Sequence, residues 1–124
     1  MKYQVKRSPG AVDLSAAWDS ADWKNIPAMR IVSARPESSN HRPQAELKLQ
    51  YDDRGLYGLF QVEDRYVRCV EQGFQASVCR DSCVEFFLES PFGGYFNLEI
   101  NCGGTPLTYY VRDNSRTEHG FKDY

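Results

Sequence analysis

Four polar residues are spaced as if on one surface of two paired strands: Glu85, then Asn97, Glu99 and Asn101. In a strand, alternate side chains point the same way. Val84, Phe86 and Leu88 then share one face of residues 83–89, and Cys83, Glu85, Phe87 and Glu89 share the other. In residues 95–102, Phe96, Leu98, Ile100 and Cys102 form the apolar side, opposite Tyr95, Asn97, Glu99 and Asn101. Paired as a hairpin, the two polar sides make one surface, with neighbours about 5 Å apart across the pair and about 7 Å along it. A pyranose ring covers a patch of that size. Carboxylates accept from sugar hydroxyls, and Asn both donates and accepts. Aromatic rings cover the C–H face of a sugar. The expected roles follow. Glu85 and Glu99 accept from hydroxyls, and Asn97 and Asn101 bridge neighbouring ones. Phe87, Tyr95 or Tyr57 supplies a stacking ring, and Arg112 donates to a ring oxygen or orients a carboxylate.

Other chemistries fit the same residues less well. Alternating polar residues ordinarily mark the solvent face of a sheet. Asn and Glu have poor strand propensity, however, so Asn-x-Glu-x-Asn points to a role beyond the strand itself. A buried hydrogen-bond network is the structural alternative. A glycosidase would use Glu85 and Glu99 as a carboxylate pair, but no cleft is legible. The histidines, His41 and His119, sit in polar loops and suggest no Ser–His–Asp arrangement. Asp64 and Asp81 are carboxylates near loops and fit a structural calcium ion, with turn or cap formation as the competing role. No other cofactor is expected.

Cysteines stand at 69, 79, 83 and 102. The spacing Cys79-x3-Cys83 is not that of a zinc knuckle, and no His pair completes a ligand set. Buried thiols are the expectation. Two disulfides are also compatible with the count, in any of three connectivities.

The elements that must position these residues are strands. Met29–Val32 is a first candidate. A polar loop with two prolines, residues 33–44, follows. Leu47, Leu49 and Tyr51 then alternate with Glu46, Lys48 and Gln50. Asp52-Asp53-Arg54-Gly55 is a turn into a second arm, Leu56–Val62. Tyr66–Val70, Cys83–Leu88, Tyr95–Cys102 and Leu107–Val111 complete six or seven strands. Asp13 is expected to cap a short helical turn through Trp18. The tail, residues 112–122, shows no clear element. The fold class is all-β: an antiparallel β-sandwich, forming a single domain over residues 1–124.

The 124 residues carry 15 basic and 17 acidic side chains. No basic stripe exists, so nucleic acid is not an expected partner. No apolar run is long enough to span a membrane, and no apolar h-region follows the first seven residues. Aromatic residues make up 14% of the chain, eight Tyr, seven Phe and two Trp, which suits both strands and stacking sites.

Several segments resemble the family-9-like carbohydrate-binding domains of the wider DOMON group. They are Leu49-Gln50-Tyr51-Asp52-Asp53-Arg54-Gly55-Leu56-Tyr57, Val62-Glu63-Asp64, Arg80-Asp81-Ser82-Cys83-Val84-Glu85-Phe86-Phe87-Leu88, and Tyr95-Phe96-Asn97-Leu98-Glu99-Ile100-Asn101-Cys102-Gly103-Gly104-Thr105. The last two are the specific part, and the similarity spans about residues 18–112. The resemblance implies a jelly-roll-like sandwich, non-catalytic saccharide binding and an extracellular or periplasmic setting, often beside glycoside hydrolases. Relatives grip sugar between two tryptophans. Here Cys79 stands where the first is usual, and the relatives' last strands lie beyond Tyr124. A sandwich short of those strands would expose a strand edge, a route to a homodimer. Trp18 and Trp23 are read as core residues. Other members of the superfamily bind haem through Met and His, for which Met29 with His41 or His119 are the candidates. A vestigial or protein-interaction sandwich is the remaining alternative.

Overall fold

A computed structural model describes residues 2–15, 17–118 and 120–123, and the side chains of 120–123 are not described. Nine strands are assigned among the described residues, with one short 3-10 turn at Val78–Arg80. The chain divides into two compact units, residues 1–65 and 66–124.

The first unit is built on β3 (Gln44–Tyr51). Along one side it pairs antiparallel with β4 (Leu56–Glu63), from Gln44↔Glu63 to Tyr51↔Leu56. Its other partners are β2 (Met29–Ile31), antiparallel, and β1 (Lys6–Arg7), parallel. The hairpin turn is set by Asp52. Its Oδ1 accepts from the backbone N–H of Arg54 and Gly55, the side-chain-to-backbone bonding that Asp favours in turns.

Both faces of β3 are covered. Leu47 and Leu49 are buried on one, and Lys48 and Gln50 on the other. The polar pair is stabilised by the preceding segment. Lys48 Nζ donates to Trp18 O at 2.8 Å and lies 4.1 Å from the Trp18 ring centroid. Gln50 Nε2 donates to Asp22 O. Trp23 is buried and donates to Asp13 O, so the core role expected for it holds. No helical turn is assigned after Asp13 among the described residues. Asp13 instead accepts from Ser15 N–H and Ser15 Oγ, and residues 17–26 run as linked turns.

The second unit holds the sheet β5 (Cys83–Glu89), β6 (Tyr95–Asn101) and β7 (Pro106–Val111), in that order and antiparallel throughout. A tight turn at residues 90–94 joins β5 to β6. Gly94 has φ +71°, and a Cβ there would lie 2.5 Å from Val111 O, so only glycine fits. At the outer edge of β7, the Gln75 side chain donates to Thr108 O and accepts from Thr108 N–H, acting as a short substitute strand.

Two expectations are corrected. Residues 66–70 form no strand. Their backbone is bonded by side chains: Arg68 N–H donates to Ser82 Oγ, and Val70 N–H to Asp81 Oδ2. The polar tail, expected to be irregular, forms a hairpin of β8 (Asp113–Thr117) and β9 (Gly120–Asp123). No described helix is long and apolar enough to cross a membrane.

Candidate functional site

The register of β5 and β6 sets Glu85 directly opposite Glu99, Phe87 opposite Asn97, and Cys83 opposite Asn101. Directly opposed residues share a face. The structure therefore brings Glu85, Phe87, Tyr95, Asn97, Glu99 and Asn101 onto one surface, as their spacing implied. β7 adds Tyr109 opposite Asn97, and Leu107 opposite Glu99.

The surface is graded in exposure. Glu85 and Phe87 are exposed, Phe87 to 56%. Asn97, Glu99 and Asn101 are 5%, 7% and 3% exposed. The other side of β6 is the more open one, with Phe96, Leu98 and Ile100 all exposed. Phe87 and Tyr95 form a tilted ring pair with centroids 5.9 Å apart.

Asn97 and Glu99 act as a couple. Asn97 Nδ2 donates to Glu99 Oε1 at 2.7 Å. Asn97 Oδ1 and Glu99 Oε2 are buried and have no hydrogen-bond partner. Buried acceptors are ordinarily paired, and leaving one unpaired costs about 1–3 kcal/mol. The two acceptors belong to side chains on the same face of β6, two residues apart.

Asn101, expected to bridge sugar hydroxyls, has a different role. Its Oδ1 accepts from Gly103 N–H and Thr105 N–H. Its Nδ2 donates to Glu71 O and Asp81 Oδ2. An Asn side chain has two donors and two lone pairs, so nothing remains for a ligand. Asn101 is the pin that holds the 66–82 segment and the 101–105 turn together.

Asp81 completes that pin. It accepts from Val70 N–H, Glu71 N–H and Asn101 Nδ2, and pairs with Arg68 Nε at 3.3 Å. Burial pushes its carboxyl up, but the N–H groups of Glu71 and Val70, the Asn101 amide and the Arg68 charge together hold it below the ordinary value of 3.8. Asp64 Oδ1 is hydrogen-bonded to His41 Nε2 at 2.7 Å. Neither aspartate belongs to a group of three metal-ligating side chains among the described residues. One such group exists, formed by Cys83, Glu85 and Glu99, with ligand atoms within 4.8 Å of one another.

The remaining expected residues fall elsewhere. Tyr57 stands on β4 of the first unit, its hydroxyl donating to Asp52 Oδ1. Arg112 is exposed in the bend after β7. Met29 is on β2, His41 is engaged by Asp64, and His119 lies outside the described residues. The thiols also differ from expectation. Cys69, Cys79 and Cys102 are exposed, and all four cysteines are free. Cys83 is half-buried, and burial, with the charges of Glu85 and Glu99 beside it, pushes its thiol up to about 11.

Sequence reasoning passed over Tyr109 and Cys83 as site residues. Both were legible as alternation partners: Cys83 is two before Glu85, and Tyr109 sits between Leu107 and Val111. A shallow hollow of about 540 Å³ lies elsewhere in the unit, lined by Phe74, Gln75, Thr105 and Thr108 among others. It contains no ionisable side chain and stays apart from the Asn97–Glu99 couple.

No curated protein and no solved structure matches the chain. The model of carbohydrate-binding family 9 matches residues 17–122, most of the sequence, including every strand that builds the surface just described. That family is a group of non-catalytic binding modules with a β-sandwich fold, which agrees with the all-β architecture here. This chain belongs to carbohydrate-binding family 9.

Proposed function

We propose that the face of β5, β6 and β7 bearing Glu85, Phe87, Tyr95, Asn97 and Glu99 binds a neutral saccharide, as a short sugar or a polysaccharide chain end. Family membership supports carbohydrate binding in general. The observation that carries the particular face is the meeting of an aromatic pair, its Phe87 ring exposed, with two orphaned acceptors. Phe87 covers the C–H side of the ring. Glu85 accepts from hydroxyls at the open rim. The Asn97–Glu99 couple forms the floor, where a hydroxyl donor relieves the unpaired oxygens.

Family membership agrees with binding without cleavage. Glu99 is fixed by Asn97 and buried, while its partner Glu85 is exposed on the same side of the same sheet.

A panel of mono- and oligosaccharides screened by glycan array and then by calorimetry tests the proposal. At least one neutral saccharide binds the wild type. Phe87→Ala, which removes an exposed ring, weakens binding roughly 3- to 10-fold, from about 0.5–1.5 kcal/mol of stacking. Binding that Phe87→Ala and Glu85→Ala both leave intact would place the sugar elsewhere.

A further inference from the structure

We infer that Cys83, Glu85 and Glu99 form a site for a thiophilic divalent cation of the zinc class. This goes beyond the saccharide reading, since the metal needs no sugar to bind.

Three observations converge. The ligand atoms of the three side chains already lie within 4.8 Å of one another, and Cys83 Sγ is 3.8 Å from Glu85 Oε1. Zinc holds carboxylate and thiolate ligands at about 2.0–2.3 Å. Closing onto an ion therefore needs only side-chain movements on the order of 1 Å. Secondly, Glu85 and Glu99 are directly opposed across the strand pair. The two carboxylates therefore reach the same spot from separate strands, on either side of an ion placed between them. Thirdly, Glu99 is 93% buried by its 7% exposure, and its Oε2 has no partner. A water oxygen must stand about 2.7–2.8 Å from a carboxylate oxygen, whereas a zinc ion approaches to about 2.0–2.2 Å. A zinc ion is thus the more compact partner for that oxygen.

The donor set selects the metal. Calcium and magnesium take oxygen ligands alone. One sulfur with two carboxylates suits a borderline ion such as zinc, and Asn97 Oδ1, also buried and unpaired, is the neighbouring neutral oxygen. On binding, the Cys83 thiol gives its proton to solvent and the sulfur's electron pair goes to the metal.

The test is calorimetric titration of the reduced full chain with zinc alone, followed by cobalt substitution read by absorption. One zinc equivalent is expected, with a cobalt spectrum showing sulfur-to-metal charge transfer. Cys83→Ser abolishes that band and weakens zinc by more than about 10-fold. Glu85→Gln, at an exposed position, weakens it comparably while the protein stays folded by circular dichroism. The triple variant Cys69→Ser, Cys79→Ser, Cys102→Ser keeps both the affinity and the band. Zinc that follows the three exposed thiols instead, or no zinc binding by a folded, reduced wild type, overturns the inference. A saccharide titration run on metal-free protein reports on the sugar reading separately, so either can fail alone.

Discussion

At the scale of single residues, Glu99 and Asn101 show how two similar positions on one strand diverge. Both are buried and polar. Asn101 has all its hydrogen-bonding capacity taken by residues 71, 81, 103 and 105. Glu99 is left with an unpaired oxygen. Period-2 alternation could select both, because it reads which face a side chain occupies. It could not separate them, because the partners of Asn101 come from loops that converge only on folding. Opposite outcomes are therefore expected. Asn101→Ala strands the buried donors and acceptors it served and destabilises the fold by about 2–4 kcal/mol, measured by chemical denaturation. Glu99→Gln keeps the shape and removes a buried charge. It changes stability by less than about 1 kcal/mol but lowers saccharide affinity roughly 10- to 100-fold, since a hydrogen bond to a charged group contributes about 1.5–3 kcal/mol.

At the scale of elements, the hairpin β5–β6 was legible almost to the residue, because strong alternation and the Ser90–Gly94 break mark both arms. The segment 66–82 was not. Tyr66–Val70 has strand-like composition, yet side chains of Ser82 and Asp81 claim its backbone before a neighbouring strand can. The β8–β9 hairpin was hidden for the opposite reason, having almost no apolar alternation to read.

Asp81 makes the 66–82 segment pH-sensitive. Its folded pKa lies below 3.8, so the stability it contributes is complete above that value and is lost as pH falls through the lower folded one. Thermal melts between pH 7 and pH 2 should show an acid-side loss that Asp81→Asn largely removes. The 90–94 turn gives a second test. Gly94→Ala meets both a positive φ and a carbonyl at 2.5 Å. It should cost about 1–3 kcal/mol by denaturant unfolding, whereas Gly10→Ala, which meets nothing within 4 Å, should be near neutral.

At the scale of the whole molecule, composition pointed to a fold class, but it could not choose a surface. The net charge of −2 and the absence of a basic stripe fit an uncharged ligand. Saccharide affinity should then change less than about twofold between low and high salt, because no counterions are released on binding. The two units differ in how polar residues are buried. In residues 1–65, Lys48 and Gln50 are buried with backbone carbonyls as partners. In residues 66–124, Asn97 and Glu99 are buried with oxygens left over. Among the described residues the first unit has one such atom, Ser20 Oγ, and the proposed site lies in the second, where two stand beside the Phe87–Tyr95 ring pair.

The most direct test of that assignment is a backbone-amide NMR titration with a saccharide from the array screen. Shift changes should concentrate in residues 83–89, 95–101 and 107–111. Saturable binding whose changes fall within residues 1–65 alone would contradict it.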